Sequence, residues 1–285
     1  MPERITSKVY VPSPHPGEPS SIAGVLEQLE PGKSTHRRKL ALILHGSAGH
    51  KDYLFLKRLA TTLPMDTFRF DFRGRFESPG IWRQNSLEQD VEDLYIVTEY
   101  LTTYFGYHID LILAHSRGTI LAVRWLCTTR EGNTVSGFIN VSGRYRMRVN
   151  SDETKEWNES FANNGYHLLN LKTFKIKVYP EDIDTFANFD GSLVETRFPQ
   201  ATDVLTIHGI LDMTVLVYDA VLYAKILSNR RPGTHTLHLM EHTDHNCNGR
   251  HDEVVRTILD WWDTRLKGKL QSGIWRGTGD VKGKL

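Results

Sequence analysis

Apolar residues in this chain fall into short continuous runs, and between the runs they recur at helical spacing. Two candidate strands, Lys8–Pro12 and Ile22–Leu29, flank a Pro/Ser/Gly-rich connection and predict an N-terminal hairpin at a sheet edge. Leu40–Leu44 is unbroken by polar residues and runs into His45-Gly46-Ser47-Ala48-Gly49-His50, the pattern of a parallel strand covered on both faces. Tyr53, Leu56, Leu59 and Leu63 predict a helix over 52–63, stopped by Pro64. A short strand, Phe68–Phe72, then turns at Arg73-Gly74. Ser86 is placed to cap a helix carrying Leu87, Val91, Leu94 and Val97 to about Tyr104.

The stretch Leu111-Ile-Leu-Ala-His-Ser116-Arg-Gly118-Thr-Ile-Leu-Ala-Val-Arg-Trp125 organises the rest. Its first part favours strand, its last part has helical periodicity, and Ala114-His115-Ser116-Arg117-Gly118 leaves room only for a tight turn. A further buried strand, Val135–Val141, leads to Ser142-Gly143. Strand alternating with helix at this spacing predicts an α/β fold with a mostly parallel, doubly wound sheet. Right-handed crossovers bring every parallel strand's carboxyl end to one edge, where ligands bind.

Residues 144–200 break the rhythm. Arg144-Tyr-Arg-Met-Arg148 is followed by a polar, aromatic-rich segment through Tyr166, His167, Phe174, Tyr179, Phe186 and Phe189, expected to form a small lid over the strand ends. The rhythm resumes with Val204–Asp212, a helix from about Val215 to Leu227, the strand Thr234–Met240, and a last helix from about Asp252 to Leu266. The expected organisation is therefore a core from 1–143 and 201–266, a lid or cap insertion at 144–200 between the sixth and seventh strands, and a flexible Gly/Lys-rich tail at 267–285.

Composition narrows the function. With 35 Lys plus Arg against 34 Asp plus Glu, no net field favours nucleic acid or membrane surfaces. Cys127 and Cys247 make no disulfide framework, and the first residues lack the apolar core of a secretory signal, so a cytoplasmic location is expected. No window suits stable membrane insertion, no dinucleotide or P-loop glycine pattern is present, and no cofactor is called for. His242, His245, Cys247 and His251 have no standard zinc spacing, so no metal is expected. The oligomeric state stays open.

The chemistry centres on Ser116. A serine on a sharp strand-to-helix turn is pushed out above the sheet, and small neighbours let the backbone reverse. The common pattern is G-x-S-x-G, from which Ala114 departs by one methyl. A serine hydroxyl needs a base to take its proton, and that base needs a carboxylate to hold its tautomer. Asp212, three residues beyond Gly209, and His245, after the last predicted strand, supply both in the order Ser…Asp…His. Asp190 and Asp219 are alternatives for the acid, and His242 rivals His245. His45 and His208 are expected to support backbone, His115 to be wedged in the elbow, and Asp71 and Arg73 to brace it from behind.

Five pieces in order, Leu-His45-Gly46, Asp71-x-Arg73-Gly74, Ala-His-Ser116-Arg-Gly118, His208-Gly209-x-x-Asp212-x-x-Val215 and Asp244-His245, resemble the α/β-hydrolase superfamily from about residue 38 to 266. The short His-Gly-Ser-Ala-Gly loop and modest insertion are similar to cinnamoyl or feruloyl-type esterases and serine aminopeptidase-like hydrolases. The resemblance implies Ser116 as nucleophile, His245 as general base and acid, Asp212 as orienting carboxylate, and an oxyanion hole from the backbone N–H groups of Ser47 and Arg117. The Arg117 side chain is expected to turn away and pair with an acid. A small-molecule carboxylic ester is the expected substrate, with Trp82, Tyr145 and Tyr166 as candidate pocket walls. Acyl transfer, lactone opening and amide or peptide cleavage use the same triad, and a non-catalytic ligand-binding role on the same scaffold is the alternative from another class.

Overall fold

The apolar runs become strands whose two faces feed two separate cores. The structure is a computed structural model describing residues 4–13, 21–147, 151–170 and 175–277. β1 (Ile5–Pro12) and β2 (Ser21–Gln28) pair antiparallel as the expected edge hairpin, with Val9 opposite Gly24; most of their connection, residues 14–20, lies outside the described residues. β3 (Lys39–Leu44), α1 (Leu56–Thr62), β4 (Asp66–Phe70), α2 (Leu87–Thr103), β5 (His108–His115), α3 (Arg117–Thr128) and β6 (Gly137–Val141) follow. Then come α4 (Ser151–Asn164), the antiparallel pair β7 (His167–Asn170) and β8 (Lys175–Val178), α5 (Pro180–Ala187) and α6 (Leu193–Thr196). The chain returns through β9 (Asp203–Gly209), α7 (Tyr218–Leu227), β10 (His235–Met240), α8 (His251–Leu266) and β11 (Gly273–Ile274).

The main sheet has the order β1-β2-β4-β3-β5-β6-β9-β10-β11, parallel from β4 onward. Alternate residues serve opposite faces, as the two-residue period of a strand requires. Leu40, Leu42 and Leu44 of β3 join Ile112, Ala114 and Phe138 in a core roofed by α2, α3 and α7. Ala41 and Ile43 join Leu111, Leu113, Ile139 and Leu205 in the other, roofed by α1 and α8. Because both faces are buried, the sequence shows runs without alternation. Each fully buried Leu or Ile contributes about 1.5–3 kcal/mol of transfer free energy.

Several boundaries differ from the expected ones, each for a local reason. The helix over 52–63 begins only at Leu56, because Leu54 sits at φ 53° and successive turns occupy the preceding residues. β4 begins at Asp66, earlier than its apolar run, because the buried Asp66 and Thr67 have their polar atoms satisfied: Asp66 Oδ1 accepts from Leu29 N at 2.9 Å, and Thr67 Oγ1 donates to Ala60 O at 3.1 Å. Ser86 does precede α2 but does not cap it; its hydroxyl accepts from Arg83 N at 3.1 Å. α7 starts at Tyr218, since Asp212 Oδ1 draws the N–H groups of Thr214 and Val215 into a side-chain turn.

The excursion expected at 144–200 contains α4 to α6 and the β7–β8 pair. Its last part is anchored: Phe189, Leu193, Val194 and Phe198 are buried in the core beside Cys127 and Tyr223. Arg148 and Phe174 lie outside the described residues. At the other end, the stretch expected as a frayed tail adds β11 to the sheet beside β10, with Trp275 N donating to Leu237 O at 2.7 Å; residues 278–285 lie outside the described residues.

Candidate active site

Ser116 stands alone between β5 and α3, at φ 52° and ψ −120°. A serine held in this sparsely populated region stores on the order of 1–3 kcal/mol of strain, offset by the contacts around it. Its N–H donates to Val141 O at 2.9 Å, so the turn is clamped to the end of β6. The second small residue of the turn is obligatory: a Cβ on Gly118 would lie 2.8 Å from His45 O and 3.1 Å from Leu44 Cβ, blocking the approach of α3 to β3. At the first position a methyl is welcome, because Ala114 is fully buried within the core.

Two loops at the same sheet edge bring their side chains to Ser116. His245, in the loop after β10, places Nε2 2.9 Å from Ser116 Oγ and Nδ1 2.7 Å from Asp212 Oδ2, on the loop after β9. A carboxylate only accepts, so Nδ1 carries the ring proton and Nε2 faces the serine hydroxyl with its lone pair. The loops lie close because Gly209 has no side chain; a Cβ there would sit 2.2 Å from Thr243 O. Asp212 is buried and accepts from Thr214 N, Val215 N and His245, with His208 Nε2 3.2 Å from Oδ2. Burial alone would raise its pKa, but the hydrogen bonds from His208 and His245 prevail and hold it well below the carboxylate range.

The loop after β3 closes the third side. Gly46 packs so near the serine that a Cβ on it would lie 3.0 Å from Ser116 Cβ. Gly49 N donates to Gly46 O at 3.1 Å, with Ala48 at φ 57° in the turn between them. Arg117 opens α3, where first-turn N–H groups have no partner within the helix. Its side chain turns away, as expected: Nε donates to Asp90 Oδ2 at 2.7 Å and Nη1 to Gln84 O at 2.7 Å.

The remaining candidates sit elsewhere. Asp190 bonds Ser192 at the surface, Asp219 pairs with Arg146 at 2.6 Å, and His242 is exposed. His251 Nε2 donates to Asn246 O, Cys247 is buried, and no group of three or more His, Cys, Asp or Glu side chains gathers for a metal among the described residues. Trp82 lies near the elbow, its ring faced by the guanidinium groups of Arg75 and Arg117. Tyr145 bonds Glu195 and stands edge-on to Tyr223; Tyr166 carries the Lys177 ammonium over its ring. Neither tyrosine hydrogen-bonds or ring-stacks with Ser116, His245 or Asp212.

Asp71 and Arg73, expected to brace the elbow, bond to the loop after β3, to their own turn and to α2. The buried Lys51 donates to Asp71 from Nζ at 2.6 Å and from its backbone N at 2.7 Å, while Arg73 Nε donates to Asp93 Oδ1 at 3.0 Å. Lys51, Arg75 and Tyr53 were not singled out by sequence motifs. Arg75 donates to Ala48 O and Gly49 O, so a second anchor holds the loop containing Ser47. The available signal for Tyr53 was the pair Gly46 and Gly49 just upstream of it.

Three buried histidines make the fold sensitive to acid. Burial pushes the imidazoles of His45, His115 and His235 down to about 3. In the unfolded chain each titrates near 6.5, so below that pH the unfolded state binds more protons and stability falls toward pH 3. The loss reaches about 1.4 kcal/mol per pH unit for each such group. Thermal midpoints are expected to stay level above pH 7 and decline steadily from pH 6.5 to 4; a level profile through pH 5 would contradict the neutral, buried assignment.

No family model matches the chain. An uncharacterized protein of Saccharomyces cerevisiae, YDL057W, is 28% identical, the alignment covering 85% of this chain and 82% of that one. Among solved structures, Est1E from Butyrivibrio proteoclasticus with ferulic acid bound superposes with a TM-score of 0.67 at 14% identity, covering 91% of this chain and 99% of that one. The Pyrococcus furiosus esterase Pf2001 gives 0.59 at 15% identity, covering 93% and 92%. The chain has the α/β-hydrolase fold.

Proposed function

We propose that this protein is a serine hydrolase that cleaves carboxylic esters through an acyl-enzyme intermediate. The observation that carries the proposal is the unbroken chain from Ser116 Oγ to His245 at 2.9 Å and from His245 to Asp212 at 2.7 Å, at the carboxyl ends of the parallel strands. Ser116 Oγ attacks the ester carbonyl as its proton passes to His245 Nε2, and Asp212 stabilises the resulting imidazolium. The N–H groups of Ser47 and Arg117 receive the developing oxyanion; each such donor contributes about 3–4 kcal/mol to the transition state. His245 returns its proton to the departing alcohol, then activates water to release the acid.

Small to medium acyl or aryl esters are the proposed substrates, with Trp82, Tyr145 and Tyr166 as pocket walls and residues 144–200 as the lid. The structural likeness to an esterase holding ferulic acid supports an aryl ester. The cytoplasmic location inferred from the two unpaired cysteines belongs to the same proposal. A panel of p-nitrophenyl esters of rising acyl length, with methyl ferulate alongside, tests it. Turnover that peaks at short or aromatic acyl groups is expected; no cleavage of any member would overturn the ester assignment.

A further inference from the structure

Beneath the three loops that meet at Ser116 lie two side chains to which the proposed mechanism assigns no task, Tyr53 and His115. The His115 ring is buried directly before the serine. Its Nε2 lies 3.1 Å from the backbone oxygen of His245, and its Nδ1 contacts the Tyr53 hydroxyl. That hydroxyl also lies 2.9 Å from Gly46 N, whose N–H points at it.

Each link has one possible direction. A carbonyl oxygen only accepts, so His115 Nε2 carries the proton and donates to His245 O. Nδ1 of a neutral ring then accepts, and the Tyr53 hydroxyl must donate to it. The Tyr53 oxygen is left as acceptor for the Gly46 N–H. Burial keeps both members in the required state, pushing His115 down to about 3 and raising the Tyr53 phenol above its ordinary range.

We propose that Tyr53 and His115 are positioning residues that join the loop carrying Ser47 to the loop carrying His245 through one directed hydrogen-bond chain, Gly46 N–H to Tyr53 Oη–H to His115 Nδ1, and His115 Nε2–H to His245 O. The inference rests on the hydrolase proposal, since it sets the oxyanion donor and the imidazole in common register about Ser116. It also accounts for the spacing of the glycine loop. A Cβ on Gly46 would lie 2.8 Å from Tyr53 Oη and 3.0 Å from His115 Nδ1, and a Cβ on Gly49 would lie 2.8 Å from Tyr53 Cζ. Both glycines are needed to wrap the loop over the Tyr53 ring. Arg75 holds the loop's other carbonyls, so breaking the chain releases one anchor and leaves the fold's second anchor in place.

Two measurements test this. Ring ¹⁵N NMR of the free protein at neutral pH, with His115 assigned by its absence in His115→Gln, is expected to show the Nε2–H tautomer. An Nδ1–H tautomer or an imidazolium would overturn the chain. In steady-state ester hydrolysis, Tyr53→Phe and His115→Leu are each expected to lower kcat about tenfold or more, because small displacements of reacting groups carry large rate losses. KM should stay within about twofold, and the double variant should lose no more than the worse single one, since both remove the same connection. His115→Gln, which restores a donor toward His245 O, is expected to recover part of the rate. Unchanged kcat in Tyr53→Phe, or losses that add fully across the pair, would overturn the inference. A wild-type protein inert toward every ester would sink the hydrolase proposal instead; the tautomer, together with faster Gly46 amide exchange in Tyr53→Phe, then decides the hydrogen-bond chain by itself.

Discussion

Ser116→Ala is expected to remove about 10⁴-fold or more of the ester turnover, because among the described residues no other hydroxyl hydrogen-bonds His245 Nε2. Removing one member of such a unit leaves only the residual acceleration from binding and the oxyanion donors. The substitution should not harm folding. Alanine lacks only the hydroxyl, and relief of the Oγ–Nε2 contact at 2.9 Å leaves the Ser116 backbone bond to Val141 O intact. Steady-state rates with p-nitrophenyl acetate, beside circular dichroism of the same samples, check both halves. Residual activity within about tenfold of wild type would contradict a serine nucleophile.

Asp212→Asn is expected to lower kcat by about 10³- to 10⁴-fold while leaving KM nearly unchanged, because the amide no longer compels the tautomer that presents the Nε2 lone pair to Ser116. The carboxylate does more than face His245 Nδ1 at 2.7 Å: it gathers the N–H groups of Thr214 and Val215 at 2.9 and 2.8 Å. The asparagine carbonyl can keep one role but not all, so a modest fall in thermal stability accompanies the kinetic effect. Asp219→Asn, which breaks the pair with Arg146 at 2.6 Å, is the control that should leave kcat near wild type.

What could be read from the sequence was whatever a strand end constrains locally. A buried parallel strand reads as a nearly continuous apolar run, and the turn that follows tends to be small or polar, so β3, β5, β6 and β9 announce both themselves and the edge where their loops meet. Ser116 and Asp212 each follow such a strand and His245 follows the more polar β10, so the order of the three was legible although Ser116 and His245 are 129 positions apart. Legibility stopped where tertiary partners override local pattern. Asp66 and Thr67 look like turn residues until Leu29 and Ala60 satisfy them inside the sheet. Tyr53 has the spacing of a helix face, yet its hydroxyl is spent on Gly46, earlier in the same loop, and on His115 at the end of β5. The pairing of Lys51 with Asp71, and the wrapping of Arg75 around the glycine loop, likewise join residues with no periodic relation.

Activation of Ser116 by its surroundings is the property to measure first. Its most direct measurement is labelling with a fluorophosphonate probe, followed by peptide mapping of the modified residue in folded and denatured protein. One adduct is expected, on Ser116, formed only in the folded protein and suppressed in His245→Ala. An unlabelled Ser116 in folded wild-type protein, or equal labelling of the folded and denatured chains, would contradict it.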